Sequence, residues 1–234
     1  MSKVVCYTLT RNLYMNIQPS LKSLLKNGNI DRVYLFIEDD DIGYELPPGV
    51  YTINVGDQQI FPKDGPNYNA RWTYMAMMKA AMSKLLTRDK VLTLDVDTIV
   101  LGDLSPLWDI DFGPCYLAGA IEPYWSRCGN PYVNLGVILW NLDKLRAMKK
   151  DDEIIWMLNH QKFDLLEQEC VNKACSGEIY VVGPEWNAGG WTGKPEDESK
   201  IRVRHFMAYG QEKFQQEPLV KKYAAMSWED TGWV

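Results

Sequence analysis

The chain has 234 residues, 46% of them hydrophobic and 24% charged, a balance that is typical of globular proteins and excludes a disordered chain. Its 31 acidic residues outnumber its 25 Lys and Arg residues, so the formal net charge of −6 argues against a nucleic-acid-binding protein. No stretch approaches the roughly 20 apolar residues of a membrane span, and the first residues do not form a secretory leader. We therefore expect a cytoplasmic protein without a transmembrane segment.

The runs of apolar residues predict the elements in chain order. Buried strands are predicted at Val4–Leu9, Arg32–Ile37, Tyr51–Val55, Lys90–Leu94, Cys115–Ile121, Val133–Trp140, Tyr180–Val182 and Ile201–His205. Helices are predicted at Tyr14–Leu25, at Ala70–Leu86 with Asn69 as its cap, at Asp151–His160 and at Leu166–Ala174. This alternation predicts one α/β domain over residues 1–234, with a mixed, mostly parallel central sheet flanked by helices. Residues 215–234 form a C-terminal extension of that domain.

The cysteines and the aromatic residues restrict the function less. An odd number of cysteines without a Cys-x-x-Cys pair predicts reduced thiols rather than disulfides or a zinc site. These are Cys6, Cys115, Cys128, Cys170 and Cys175. Nine Trp and thirteen Tyr against six Phe suit wet clefts and sugar faces as well as protein cores.

The most informative segment is the apolar strand that is followed by Asp95 and Asp97. In an extended backbone residues i and i+2 point to the same side, so these two carboxylates are expected to converge on one cation. The carboxyl end of a parallel strand is also where open α/β sheets bind ligands. The alternative is an acidic turn solvated by water, because Asp-x-Asp is common in proteins.

The segment Asp89–Leu104 resembles the signature of glycosyltransferase family 8, the family of glycogenin and of bacterial lipopolysaccharide galactosyl- and glucosyltransferases. Three later segments resemble further motifs of that family, in the same order: Tyr132–Leu142, Glu167–Asn172 and His205–Phe206. The resemblance extends from the first strand to about Phe214, nearly the whole chain. It implies a nucleotide-sugar-binding domain of the GT-A type, which is Rossmann-like.

The resemblance also implies a divalent cation on the diphosphate of a UDP-sugar donor, held by Asp95, Asp97 and His205. Two carboxylates and one imidazole suit Mn²⁺ better than Mg²⁺, which prefers oxygen ligands and stands as the second choice. The cation would neutralise the departing nucleoside diphosphate. The other histidine, His160, lies in a predicted helix and is expected to serve packing or solvation.

Further donor contacts follow from the same resemblance. Cys6, Tyr7 and Thr8 would form a uracil-binding turn after the first strand. The remaining contacts are Arg71, Lys79, Val96, Glu122, Asn134, Gly136, Gln168, Gly210 and Lys213.

Several of these assignments have structural alternatives. Lys79 could extend from its helix to solvent, Asn134 could be satisfied by neighbouring backbone, and Lys213 could lie at a solvated helix start. The chain also departs from the family at four places. Thr8 stands where many relatives have aspartate, glutamates replace aspartates at Glu122 and in the segment with Glu167 and Glu169, and the segment after His205 is two residues longer.

The implied reaction is transfer of a hexose, glucose or galactose, with retention of anomeric configuration. Gln168 would lie near the anomeric carbon, Glu167 is the alternative catalytic group, and Lys79 would act on the donor. Asp95, Asp97, Glu122, Glu167 and Glu169 would converge on the metal and the sugar. Because such a cleft repels a diphosphate, binding of the donor should require the cation.

Two other functions fit parts of the sequence. A non-catalytic nucleotide-sugar or glycan-binding domain of the same fold is the alternative, favoured by the altered segment around Lys213. A glycoside hydrolase is disfavoured because Asp95 and Asp97 are too close in sequence to flank a bond and lack a separate acid partner.

The acceptor is a glycan, a protein or a lipid-linked molecule, and the sequence does not distinguish these. Trp125, Trp186 and Trp191 lie in loop-like segments and suit either sugar stacking or core packing. For the C-terminal extension, contact with a membrane surface, homo-oligomer formation and simple packing are all open.

Overall fold

The computed structural model describes residues 2–126 and 130–233. Its strands are β1 (Val4–Thr8), β2 (Arg32–Ile37), β3 (Val50–Asn54), β4 (Lys90–Leu94), β5 (Thr98–Val100), β6 (Leu117–Ile121), β7 (Val133–Asn141), β8 (Ile179–Val182) and β9 (Val203–His205). Its α-helices are α1 (Gln18–Asn27), α2 (Thr73–Met77), α3 (Met82–Leu85), α4 (Leu142–Ala147), α5 (Lys150–His160), α6 (Leu166–Ala174), α7 (Gly210–Gln216) and α8 (Pro218–Ala224). Within the described ranges, no helix is long and apolar enough to cross a membrane.

Seven strands form one sheet in the order β3-β2-β1-β4-β7-β6-β8. Strand β7 is antiparallel to both of its neighbours, and the other adjacent pairs are parallel. The predicted mixed, mostly parallel sheet is confirmed. As a consequence of these directions, the carboxyl ends of β1 to β4 and β6 meet the amino end of β7 at one edge of the sheet.

Strands β5 and β9 form a separate antiparallel pair beyond that edge, with Thr98 opposite His205. The N–H of Phe206 also donates to the carbonyl of Asp97, at 2.9 Å. Because β5 begins only four residues after β4 ends, this pairing brings the late residue His205 beside the segment that follows β4.

Two apolar clusters cover the two faces of the sheet. In β1, Val4 and Cys6 belong to one cluster, and Val5 and Tyr7 belong to the other. A strand that is apolar on both faces is typical of a covered parallel sheet. Four cysteines are free thiols as predicted, namely Cys6, Cys115, Cys170 and Cys175, and Cys128 lies outside the described residues.

The long helix predicted at Ala70–Leu86 is wrong. The segment is divided into α2, a 3₁₀ turn at Met78–Ala81 and α3. Asn69 does not cap a helix, because α2 begins at Thr73, three residues after the predicted start at Ala70. The φ angle of Thr73 is +60°. Residues 74–82 are nearly all buried, so the apolar pattern reports burial on every side rather than one face of a continuous helix.

The first helix begins at Gln18 rather than at Tyr14, with Pro19 in its first turn. Its apolar side chains Leu21 and Leu24, and Ile17 just before it, are fully buried.

The C-terminal segment packs against α1. Val220 and Tyr223 of α8 are buried, and Asn27 donates from Nδ2 to the Tyr223 hydroxyl at 2.8 Å. Further along, the Trp233 ring lies over Gly49, at the start of β3. Of the three alternatives for this segment, packing on the domain is therefore observed.

Candidate active site

Polar side chains collect at the sheet edge where β4, β6 and β7 meet. Asp95 follows β4, Glu122 follows β6, and Asn134 is the second residue of β7. Backbone hydrogen bonds between neighbouring strands continue past the strand ends. The N–H of Asp95 donates to the Gly136 carbonyl and the N–H of Glu122 donates to the Tyr132 carbonyl, each at 2.8 Å. The backbone therefore fixes where these side chains begin.

Asp95, Asp97 and His205 form a cluster whose ligand atoms lie within 4.8 Å of one another. The Nε2 atom of His205 is 3.1 Å from Asp97 Oδ1 and 3.8 Å from Asp95 Oδ2. An ion with ligands at about 2.0–2.6 Å separates opposite ligands by about 4–5 Å, so the spacing fits one divalent cation. The residue types and their spacing thus suit the predicted metal site.

The reason given for the convergence of the two aspartates is wrong, although they do converge. Val96 and Asp97 lie in a turn between β4 and β5, not in extended backbone. Asp97 instead faces His205 because its carbonyl accepts the Phe206 N–H and β5 pairs with β9.

The electrostatic surroundings of His205 follow from its burial, which leaves 4% of the residue exposed. Burial by itself lowers the pKa of His205. The negative charge of Asp97 and its hydrogen bond outweigh that effect and raise the pKa above its ordinary value. The negative charges that favour a proton on the imidazole would also attract a metal cation.

Lys79 joins the same site, and the alternative that it extends into solvent is wrong. Its side chain is 6% exposed, and Nζ lies 2.7 Å from Asp95 Oδ1 and 3.1 Å from Glu167 Oε1. Burial alone lowers the pKa of the ammonium, but the charges of the two carboxylates raise it. Lys79 is therefore a permanent cation between the segment after β4 and the first turn of α6.

Glu122, Asn134 and Gln168 form a hydrogen-bonded network beside the cluster. Asn134 donates from Nδ2 to Glu122 Oε1 at 2.6 Å and to Gln168 Oε1 at 3.2 Å. Gln168 Oε1 also accepts the Leu135 N–H, and Gln168 Nε2 donates to Glu122 Oε1 at 3.3 Å. Burial raises the pKa of Glu122, and the hydrogen bonds from Asn134 and Gln168 oppose that rise.

Asn187 connects this network to the cluster, and the sequence reasoning missed it. Its Nδ2 donates to Asn134 Oδ1 at 3.0 Å, and its Oδ1 lies 2.9 Å from His205 Nδ1. The available signal is the asparagine that directly follows Trp186. Trp186 itself is half-buried and packs against the core cluster.

The predicted uracil-binding turn is wrong as a turn, because Cys6, Tyr7 and Thr8 belong to β1. Cys6 and Tyr7 are fully buried, and the Tyr7 hydroxyl is hydrogen-bonded to that of Ser20 at 3.0 Å. Only Thr8, half-buried at the strand end, is placed to meet a ligand, and its contact with a base stays a prediction.

An open cleft lies at the carboxyl ends of β2 and β3, on the same edge of the sheet. Its volume is about 460 Å³. It is lined by Arg11, Glu38, Asn54, Gly56, Asp57, Tyr68 and Tyr74. Tyr68 and Tyr74 stack with ring centroids 4.7 Å apart and form one aromatic wall. The sequence reasoning did not single out these residues, which come from four separate segments.

Four other predicted contacts occupy different surroundings. Arg71 is exposed, with its guanidinium 5.4 Å from the Trp72 ring centroid. Lys213 is exposed on α7, with Nζ 3.8 Å from the Tyr209 ring centroid, as the alternative of a solvated helix start requires. Gly210 begins that helix with a φ of +71°, and Val96 is half-buried in the turn between the two aspartates.

Gly136 and Glu169 require separate comment. A Cβ atom on Gly136 would lie 2.0 Å from His205 Cε1, so this glycine makes room for the imidazole. Glu169 was expected to converge on the site, but its carboxylate accepts the N–H groups of Asp164 and Leu165 before α6. It therefore anchors the helix start instead.

A sequence model of glycosyl transferase family 8 matches residues 49–214, well over half of the chain. The chain belongs to this family. It is 30% identical over 181 residues to the glycosyltransferase GlyE of Streptococcus pneumoniae, an alignment that covers 73% of this chain and 44% of GlyE. It is also 27% identical over 112 residues to general stress protein A of Bacillus subtilis, covering 42% of this chain and 39% of that protein.

Solved structures confirm the predicted fold of this member of family 8. The crystal structure of GlyE superposes on 99% of the chain and 62% of GlyE, with a TM-score of 0.74 and 19% identity. The galactosyltransferase LgtC, solved in complex with donor and acceptor sugar analogues, superposes over 99% of this chain and 100% of LgtC, with a TM-score of 0.67 and 20% identity. The chain spans less than half the length of the curated relatives it matches.

Proposed function

We propose that this chain transfers a hexose, glucose or galactose, from a UDP-sugar to an acceptor hydroxyl with retention of anomeric configuration. The observation that carries the proposal is the cluster of Asp95, Asp97 and His205 beside the Glu122–Gln168 network. A metal-binding group next to buried sugar-binding polar groups is what a diphosphate-linked sugar requires. Membership of the family and the likeness to a galactosyltransferase support it.

Asp95, Asp97 and His205 would hold the divalent cation, Mn²⁺ in first place and Mg²⁺ in second. When bound, the cation would supply positive charge to the diphosphate that leaves. This region holds four carboxylates, of Asp95, Asp97, Glu122 and Glu167, and two of them, Asp95 and Glu167, pair with the buried ammonium of Lys79. A donor diphosphate should therefore bind weakly without the cation.

We place the nucleoside of the donor in the cleft at the ends of β2 and β3. This cleft shares its sheet edge with Asp95, and its volume of about 460 Å³ lies within the 300–1,000 Å³ that is usual for small-molecule sites. Thr8 lies at the end of β1, between the cleft and the strand that precedes Asp95. The sugar would then extend toward Glu122 and Gln168.

In the proposed reaction the bond between the anomeric carbon and the diphosphate oxygen breaks. The acceptor oxygen forms its bond on the same face, and the proton of the acceptor hydroxyl passes to the departing UDP. Lys79 supplies a fixed positive charge to the leaving side. Gln168 lies on the sugar side, whereas Glu167 is paired with Lys79, so we assign the anomeric face to Gln168.

The test is UDP release from UDP-glucose and UDP-galactose by the purified protein with and without Mn²⁺, over a panel of acceptors. Asp97→Asn is expected to lower metal-dependent release about 100-fold or more, since it removes one group that stabilises the leaving diphosphate. Asp109→Asn is the matched control, because Asp109 is exposed and lies after the Asp89–Leu104 segment. It should release UDP at the wild-type rate.

Equal release by the Asp97→Asn variant would contradict the metal assignment. Donor binding without any release, by a protein that binds Mn²⁺, would instead favour the non-catalytic nucleotide-sugar-binding domain. Exchange of UDP-glucose for UDP-galactose in the same assay assigns the sugar.

A further inference from the structure

The side chain of Asn187 is completely buried and lies between His205 and Asn134. It has no exposed surface to offer a substrate. Its amide must therefore act on the two side chains that it contacts, one of which belongs to the metal-binding cluster.

The hydrogen bonds fix which way the Asn187 amide faces. The backbone N–H of Gly136 donates to Asn134 Oδ1 at 2.9 Å, and because a backbone N–H can only donate, that atom of Asn134 is the oxygen. The Asn187 atom 3.0 Å from the same oxygen must then be the donor nitrogen. Its other terminal atom, 2.9 Å from His205 Nδ1, is therefore the amide oxygen.

This orientation places a proton on one ring nitrogen of His205. An amide oxygen accepts, so His205 Nδ1 carries a proton and donates to Asn187, and Nε2 is the nitrogen that faces the metal-binding cluster, 3.1 Å from Asp97 Oδ1. A histidine binds a metal through the nitrogen that lacks the proton, and a partner on the other nitrogen orients the ring.

We infer that Asn187 is a positioning residue that holds His205 as a ready metal ligand, an inference that rests on the proposed metal-dependent function. The backbone around Asn187 supports the role. The N–H of His205 donates to the Ala188 carbonyl at 2.9 Å, and the Ala188 N–H donates to the Val203 carbonyl at 2.8 Å. The Thr192 hydroxyl also donates to the Asn187 carbonyl. The amide is thus fixed to the strand that carries the imidazole.

The first test needs no metal. Ring ¹⁵N spectra of the metal-free protein are recorded at a pH that keeps both imidazoles neutral, and His160→Gln assigns the second histidine of the chain. We expect Nδ1 of His205 to carry a proton. An unprotonated Nδ1 in the wild-type protein would overturn the inference.

The second test measures Mn²⁺ affinity without donor, from the electron paramagnetic resonance signal of free Mn²⁺. Asn187→Leu keeps the volume but removes the acceptor, and it should raise the Kd about 10- to 100-fold. Asn187→Asp loses the donor to Asn134 Oδ1 but keeps an oxygen toward Nδ1, so it should bind Mn²⁺ more tightly than Asn187→Leu does. Wild-type affinity in Asn187→Leu, or affinity in Asn187→Asp as weak as in Asn187→Leu, would contradict the role.

The two proposals fail in different ways. If the wild-type protein does not bind Mn²⁺, or if Asp97→Asn binds it equally, the metal site is wrong while the ring spectra still decide the tautomer. If Asn187→Leu does not fold, the wild-type spectra and the Asn187→Asp titration carry the decision.

Discussion

Single residues at this site satisfy one another rather than facing water. Asn134 uses its amide oxygen for Gly136 and Asn187 and its amide nitrogen for Glu122 and Gln168. A sugar hydroxyl could reach Asn134 only by replacing one of these bonds. The alternative that neighbouring backbone satisfies Asn134 holds only for the Gly136 N–H, because its other partners are side chains. The half-buried Gln168 is better placed as a direct donor contact.

Glu122 gives a prediction with a definite pH dependence. Burial raises its pKa, so the folded protein holds this proton more tightly than the unfolded chain does. Burying the charged carboxylate lowers the free energy of unfolding. This loss begins as the pH rises through the unfolded pKa of Glu122 and is complete above its folded pKa. Glu122→Gln should therefore unfold with a higher free energy than wild type at neutral pH and lose this advantage in acid, as denaturant titrations at several pH values will show.

The same variant should transfer sugar more slowly. A hydrogen bond to a charged group is worth about 1.5–3 kcal/mol, so loss of the carboxylate should lower transfer roughly 10- to 100-fold. Glu196→Gln, at an exposed position, is the matched control for both measurements. A Glu122→Gln variant that is less stable than wild type at neutral pH would refute the cost of burial, and unchanged transfer would refute the sugar contact.

At the scale of elements, the site is an intersection of β4, β7 and β9. His205 on β9 packs over Gly136 on β7, where a side chain of any other residue would occupy the position of the imidazole. Glycine within a strand often marks such a close approach. Gly136 therefore acts on the donor site through His205, which gives a physical reason for its place in the motif.

Gly136→Ala tests this contact. The added Cβ would lie 2.0 Å from His205 Cε1 and 2.6 Å from Nδ1, so the imidazole must move. We expect Mn²⁺ affinity to fall at least about 10-fold and the free energy of unfolding to fall by about 1–3 kcal/mol.

Gly119→Ala on β6 is the matched control, because its Cβ would meet the flexible end of Ile138 at 2.5 Å, away from the site. It should cost stability without weakening Mn²⁺ binding. Unchanged Mn²⁺ binding in Gly136→Ala, or equal weakening in both variants, would contradict the role given to Gly136.

The elements also show where sequence patterns fail. Strands β1, β2, β4 and β7 were predicted nearly at their bounds, because strands buried on both faces are continuous apolar runs bounded by polar turns. The pattern at 70–86 failed because residues buried on every side carry no 3.6-residue period from which a start or a break can be read. Even so, the family resemblance assigned Lys79 of this segment to the site, and Lys79 lies beside Asp95 and Glu167.

At the scale of the whole molecule, the C-terminal segment is part of the packed structure. Ile99 of β5 belongs to a small cluster with Phe206 and with Phe214, Val220 and Tyr223 of α7 and α8. Packing of the tail therefore supports the β5–β9 pair, and through it the position of His205.

Tyr223→Ala tests that coupling. The residue is 3% exposed and its hydroxyl accepts from Asn27, so truncation should lower the free energy of unfolding by about 3–5 kcal/mol. Calorimetric unfolding and a Mn²⁺ titration should show a lower Tm with a weaker metal site. Lys221→Ala, exposed on the same helix, is the control and should stay within about 0.5 kcal/mol of wild type. An unchanged Tm for Tyr223→Ala would show that the tail does not stabilise the domain.

The sequence by itself determined the α/β class, the buried strands and the residue types of the cluster. Apolar runs depend on local burial, and the order of the family's motifs along the chain identifies Asp95, Asp97 and His205. Only the tertiary structure decided how they meet: the turn at Val96, the pairing of β5 with β9 and the space above Gly136. It alone revealed Asn187, because the direction of a buried amide is set by hydrogen bonds between residues far apart in the chain, which no local pattern records.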